Sequence, residues 1–298
     1  MANIKLLVSD MDGTILSSKQ EIAPEAVEAI RYAKERGVEF AIATGRNYVN
    51  AKELLEKAGL DCPVVASNGA RVLTREGKEL SKTTLTKGQA EQIYQIISQY
   101  EVFFEMFCDY GLVSAQGATI DAAYESLREM SKQSERAKNV FDFFHNRYYV
   151  NEDVKLIDGF RSFIHQDAGD IYKYISFSLH DQLMQHIWRE VEEQVEGVYV
   201  TSSGHDNIEV MAIGADKGAG VTILAEHLGL SLEEVAVIGD NLNDTPMFEV
   251  AGVAIAMDNG HADAKEIAHY VTKTNDDHGV AHAIRMLADQ KWTNNRKK

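Results

Sequence analysis

Asp10 and Asp12 stand two residues apart in Asp10-Met11-Asp12-Gly13-Thr14, directly after the apolar run Ile4 to Val8. A carboxylate at a strand end can attack phosphorus and hold it covalently, dividing one hard displacement into two easier ones. A second carboxyl group can give its proton to the departing alkoxide and later take one from the attacking water. Gly13 permits the sharp turn that such a pair needs where strand becomes loop. Three further segments, far apart in the chain, carry residues that this chemistry requires: Thr44-Gly45-Arg46, Lys217, and Gly239-Asp240-Asn241-Leu242-Asn243-Asp244.

Asp240 and Asp244 bring more negative charge to the same place. Several ionised carboxylates do not share a small site without a cation, because like charges at close range repel strongly. Hard oxygen ligands, with positions left for water and phosphate, point to Mg²⁺ rather than zinc. A Ca²⁺ loop fits poorly: Leu242 stands third from Asp240, where such a loop needs oxygen, and no bidentate glutamate follows. Thr44 offers a hydroxyl and, with Gly45, backbone N–H groups at a helix start, a pattern suited to phosphate oxygens. Lys217 opens a helix, where its charge opposes the helix dipole. A phosphoryl transition state would use that charge.

These residues must be carried to one edge by the elements before them. Ile4 to Val8, Val38 to Ala43 and Val235 to Ile238 read as strands, and polar residues follow each. Helices fit Pro24 to Arg36 and Val49 to Ala58, with a third strand at Pro63 to Ala66. Strand–helix–strand units of this kind predict right-handed crossovers and a parallel sheet, with the site at the carboxyl ends of its strands. After Asn68-Gly69 the pattern changes. A hairpin is expected over Arg71–Leu80, then aromatic-rich, antiparallel-type strands at Val102 to Phe107, Leu112 to Ala115 and Ile171 to Leu179, with Lys173 a misfit on an apolar face. Helices are expected at Lys87 to Ser98, Ile120 to Ser131 and Gln182 to Glu193. From Lys217 the βα alternation returns.

The expected fold class is therefore α/β: a doubly wound, mainly parallel, Rossmann-like core sheet built from residues 1–84 and 206–298. An α+β module, residues 85–205, is inserted between its halves.

Composition bounds the function from outside. A chain of 298 residues with 45% hydrophobic residues and three prolines is an ordinary folded globule of about two domains. A formal charge of −16 leaves no excess of Lys and Arg to displace counterions, which argues against nucleic acid as a partner. No apolar run reaches the length of a membrane span. The two cysteines, Cys62 and Cys108, are too few for a disulfide framework and read as buried thiols of a cytoplasmic protein. There is no Gly-rich nucleotide loop ending in Lys-Ser/Thr and no His-Glu-x-x-His helix.

As they stand, the four segments resemble the motifs of the haloacid dehalogenase superfamily, and within it the Cof-like, subclass IIB sugar-phosphatase family. Ser67-Asn68-Gly69-Ala70 and Asp258-Asn259-Gly260 resemble further stretches typical of that family. The resemblance implies that Asp10 is the nucleophile and a Mg²⁺ ligand, and that Asp12 is the acid/base and a ligand through its main-chain carbonyl. It implies that Asp240 is a ligand supported by Asp244. Met11, Thr44, Gly45, Lys217 and Asn243 would contact phosphate, with Arg46 and Asn68 as further substrate contacts. The inserted module would be a cap that reads the leaving group. A Mg²⁺-dependent phosphatase acting on small phosphate esters is the expected function, with a phosphomutase or a phosphometabolite sensor as alternatives. His205, near the second junction, is expected to be no more than a surface group.

Overall fold

The computed structural model describes residues 3–150, 154–204 and 206–289; His205 lies outside them. The chain divides into two compact units: Thr84–Ile213, and the residues up to Thr83 together with those from Gly214 on.

In chain order the first unit supplies β1 (Leu6–Ser9), β2 (Glu39–Ala43), β3 (Val64–Ala66), β4 (Arg71–Leu73) and β5 (Glu79–Lys82). The second unit supplies β6 (Phe103–Cys108), β7 (Gly111–Ala115), β8 (Lys155–Ile157), β9 (Ile171–Phe177), β10 (Val198–Thr201) and β11 (Asn207–Ala212). The first unit is completed by β12 (Val235–Gly239), β13 (Val253–Ala256) and β14 (Tyr270–Val271).

The sheet of the first unit runs β14-β13-β12-β1-β2-β3-β4-β5, parallel from β14 to β3, with β4 antiparallel to both β3 and β5 at one edge. Strand alternation sends side chains to two separate layers. Leu7, Phe40, Ile42 and Ile238 pack on helices Pro24–Lys34, Tyr48–Lys57 and Gly279–Ala288. Leu6, Val8, Ala41 and Val237 pack on helices Lys217–His227 and Thr245–Val250. Strands covered on both faces read as continuous apolar runs, which is why β1, β2 and β12 stand out in the sequence. β1 lies between β2 and β12, so the three segments that follow these strands emerge side by side.

The sheet of the second unit runs β10-β11-β9-β6-β7-β8 and is antiparallel apart from β7 with β8. One face packs on helices Lys87–Ile97, Phe160–Gln166 and Asp181–Gln194. Phe103 and Phe177, on the other face, lie under helices Ala118–Ser131 and Glu135–His145. Thr86 and Gln89 close the start of the first helix with a reciprocal capping box, the Thr86 hydroxyl accepting from Gln89 N–H at 3.1 Å.

Two expectations change here. The strand from Asn207 does not belong to the first unit: β11 pairs with β9 and β10, so the second junction falls between Ile213 and Gly214 rather than at 206. Its apolar alternation carries no information on which sheet accepts its hydrogen bonds. Helices Glu135–His145 and Phe160–Gln166 were also unforeseen. The former is polar over its first half, and the latter is barely two turns long. Among the described residues no helix is long and apolar enough to cross a membrane.

Candidate active site

Asp10 follows β1 directly, and its N–H donates to the carbonyl of Ile238 at 2.8 Å, tying this strand end to β12. The chain then makes one turn, Met11–Ile15, in which Gly13 has φ +73°. A side chain at Gly13 would bring its Cβ to 2.5 Å from a carboxylate oxygen of Asp240, so glycine is required by space as well as by conformation. Thr14, one residue on, donates its hydroxyl to Asp240 Oδ1 at 2.7 Å.

Lys217 sits at the first position of its helix, which Asp216 caps by accepting from Ala219 N–H. Its side chain is fully buried, and Nζ lies 2.6 Å from both Asp10 Oδ1 and Asp244 Oδ1. The other oxygen of Asp244 accepts from the N–H groups of Asp240 and Asn241, at 2.7 and 2.9 Å. Asp244 is thus engaged at both oxygens and fixes the loop that carries Asp240. Gly239 is needed beneath it, since a Cβ there would approach the Asp244 carboxyl carbon to 2.4 Å.

Asp10, Asp240 and Asp244 each present a carboxylate oxygen within 4.8 Å of the others, all three buried. Three carboxylates face one ammonium. The electrostatics follow from that surplus. Burial, offset in part by Lys217, and the neighbouring acids Asp244 and Asp240 push the Asp10 carboxyl well above its ordinary range. Burial, then Asp244, pushes Asp240 up to about 7. Burial alone would discharge Lys217, but Asp10 and Asp244 outweigh it and hold the ammonium charged. A hard divalent cation fits this donor set, which is all oxygen and is negative in excess.

The remaining residues surround this cluster less uniformly. Thr44 is fully buried; its hydroxyl accepts from Arg46 N–H at 3.1 Å, leaving its own proton to donate. The helix expected at Val49 to Ala58 runs Tyr48–Lys57, capped by Asn47, so Thr44 and Gly45 precede its start by several residues and their N–H groups are not those of a helix terminus. Arg46 grips the Asp12 carboxylate with two hydrogen bonds, 2.7 Å from Nε and 2.5 Å from Nη2, and Gln20 accepts from the same Nη2 at 2.5 Å. The Asp12 side chain is about half exposed and lies outside the buried carboxylate group. Asn68 and Asn243 are buried together, Asn243 Nδ2 donating to Asn68 Oδ1 at 3.2 Å. Ser67, Asn68 and Gly69 are successive residues in the left-handed region, a strained turn that Asn and Gly tolerate best. Met11 is buried in the turn, its carbonyl accepting from Leu16 N–H.

A family model described as haloacid dehalogenase-like hydrolase matches residues 7–284, across both halves of this site. The chain is a haloacid dehalogenase-like hydrolase. It is 32% identical to the phosphatase YwpJ of Bacillus subtilis over 95% of this chain and all of the relative. It is 30% identical to the 5-amino-6-(5-phospho-D-ribitylamino)uracil phosphatase YwtE of the same organism, over 95% of this chain and 98% of that one. A solved subclass IIB sugar phosphatase superposes with a TM-score of 0.75 at 21% identity, covering 94% of this chain and 98% of the other, and shares the fold.

In this hydrolase, three residues that hold the site were not assigned from the sequence. Thr14 orients Asp240. Asn259 donates to the carbonyl of Gly13 at 2.8 Å, pinning the turn after Asp10. Gln20 holds Arg46. Thr14 and Asn259 stand in segments already singled out and could have been found there. No pattern signals Gln20; its left-handed φ of 60° is visible only in the fold.

Proposed function

We propose that the chain hydrolyses small phosphomonoesters of the sugar-phosphate kind, with Asp10 as nucleophile and a Mg²⁺ ion held at Asp10, Asp240 and the Asp12 carbonyl. The single observation that carries this reading is the buried Lys217, hydrogen-bonded at once to Asp10 and Asp244 beside a third carboxylate. A group buried at such electrostatic cost is retained for chemistry more readily than for stability. When bound, the ion would offset the negative charge of Asp10 and of the phosphoryl group as they meet.

Asp10 attacks phosphorus; the bond to the ester oxygen breaks, and Asp12 gives that oxygen its proton. Water then attacks the phosphorylated Asp10, Asp12 takes the water's proton, and inorganic phosphate leaves with the Asp10 carboxylate restored. Lys217 and the Thr44 hydroxyl donate to phosphoryl oxygens, with main-chain N–H groups at Met11 and Gly45 and the free amide hydrogen of Asn243. The partly exposed Arg46 and the buried Asn68 are further substrate contacts in this reading. Asp244 acts as a positioning residue, because Lys217 and two N–H groups already occupy its oxygens. The relative YwtE is named for a phosphoribityl substrate, which supports a phosphorylated polyol or sugar as the substrate class. Two free buried thiols, Cys62 and Cys108, suit the reducing cytoplasm.

The purified chain should release inorganic phosphate from a panel of phosphorylated sugars without a bisphosphate activator, stop on chelation and restart with Mg²⁺. Indifference to chelation would remove the metal from this reading. Transfer to a second hydroxyl of the substrate instead of water would make the chain a mutase.

A further inference from the structure

Two asparagines join the turn after Asp10 to the loop of Asp240. β12, β13 and β14 lie parallel on one side of β1, so the loops after them open on the same edge as the Met11–Ile15 turn. The loop after β13, residues 257–261, touches both halves of the acidic cluster. His261 N–H donates to the carbonyl of Asp240 at 2.7 Å. Two residues earlier, Asn259 Nδ2 donates to the carbonyl of Gly13, the residue after Asp12. Gly260 stands between them, where a Cβ would lie 2.7 Å from the same Asp240 carbonyl. Three successive residues therefore bridge the two backbone segments that carry the acids.

Asn259 is exposed, and an exposed side chain is not held in one rotamer without a partner. Asn275, on the loop after β14, supplies the hold. Its N–H donates to Asn259 Oδ1 at 2.9 Å, and its own Nδ2 donates to the carbonyl of Leu16 at 2.9 Å. Leu16 N–H in turn donates to the carbonyl of Met11, closing the turn. Asn259 is thus engaged at both ends of its amide, a task that needs a donor and an acceptor on one short side chain. The turn is gripped at two carbonyls, Gly13 and Leu16. A further tie, from the Thr14 hydroxyl to Asp240 Oδ1, joins the same turn to the same acid.

We propose that Asn259 and Asn275 are positioning residues that set the affinity for the divalent ion. The inference rests on the metal site of the hydrolytic reading, at Asp10, Asp240 and the Asp12 carbonyl. Asn259 holds the residue after Asp12 at a fixed spacing from Asp240, and Asn275 keeps Asn259 in place. Without them the turn drifts against the Asp240 loop. A small hard cation rewards its oxygens only at short, well-defined distances, so drift is read as weaker binding.

Mg²⁺ titrated calorimetrically into the metal-free chain, with no substrate present, reads binding apart from turnover. Asn259→Ala and Asn275→Ala should each weaken Mg²⁺ about tenfold. The double variant should be little worse than the poorer single one, because both changes cut the same connection. Turnover at limiting Mg²⁺ should fall with the affinity, and excess Mg²⁺ should recover most of it. The melting temperature of the metal-free variants should drop by no more than about 4 °C, which separates positioning from a role in folding. Wild-type Mg²⁺ affinity in both single variants would overturn the inference and leave the phosphatase reading standing. So would independent losses that multiply in the double variant, or a loss of turnover that excess Mg²⁺ does not recover. A wild-type chain that binds no Mg²⁺ would instead remove the metal site, and this inference with it.

Discussion

Lys217 in the first unit and Lys173 in the second are both shut away from solvent, and both touch carboxylates. Their surroundings differ in charge balance. Lys173 lies 3.1 Å from one carboxylate, Glu209, and 4.6 Å from the ring centre of Phe107. The Ser203 hydroxyl donates to the same glutamate at 2.8 Å. Nearby in that sheet, Arg147 meets Glu105 with two bonds of 2.7 Å. Each buried acid there has its own base. Lys217, by contrast, faces Asp10 and Asp244 with Asp240 alongside, three acids to one base. A balanced buried pair has all its partners within the fold; an unbalanced one has an interaction left to make.

That contrast can be broken most sharply at Asp10. Asp10→Asn should lower turnover by about a thousandfold or more. It should leave the melting temperature unchanged or raised, because it removes one of the crowded negative charges. Retained activity would defeat both the nucleophile and the meaning given to the surplus. Next in size is Lys217→Met, expected to cost about a hundredfold or more in kcat/KM with weaker competition by inorganic phosphate. Kinetics equal to wild type would place Lys217 among the merely structural ions.

The second unit should respond in stability. Lys173→Met removes the one ammonium beside the buried Glu209 and should lose about 3–5 kcal/mol in urea unfolding. Lys173→Met combined with Glu209→Leu should recover most of that loss. If the double variant is no better than the single one, the pair is not balanced in the sense used here.

The smallest effect concerns the thiols. Burial pushes the Cys62 thiol up to about 12, and Cys108 is raised by burial too. In the unfolded chain a thiol ionises near pH ~8.5. The unfolded state therefore releases a proton that native Cys62 keeps, and its contribution to stability falls as pH rises above that value. Cys62→Ala should flatten the alkaline decline, and native Cys62 should resist alkylation at pH 8 while the denatured chain reacts at once. Rapid labelling of the native thiol would contradict its burial.

How much of this was legible depended on how local the signal was. β1, β2 and β12 could be read because strands covered on both faces are apolar throughout, and the polar residues after them mark where they end. The misfit Lys173 was visible, but its partner Glu209 lies on another strand, 36 positions away. The same ambiguity moved β11 to the wrong unit, since alternation does not name a neighbour. Lys217 illustrates the limit best. Alone at a helix start it reads as a solvated charge, and only its contacts with Asp10, 207 residues away, and Asp244 show it to be buried.

Residue type and local period therefore determined the α/β class, the inserted module and the identity of the four segments, because these rest on the short-range geometry of helix and strand. Only tertiary structure decided that Asp244 spends both oxygens holding its neighbours, that Arg46 clasps Asp12, and that Asp10 and Asp244 share one lysine beside Asp240. Hydrogen bonds and charge balance are sums over everything within a few ångströms, and chain folding alone sets which residues those are.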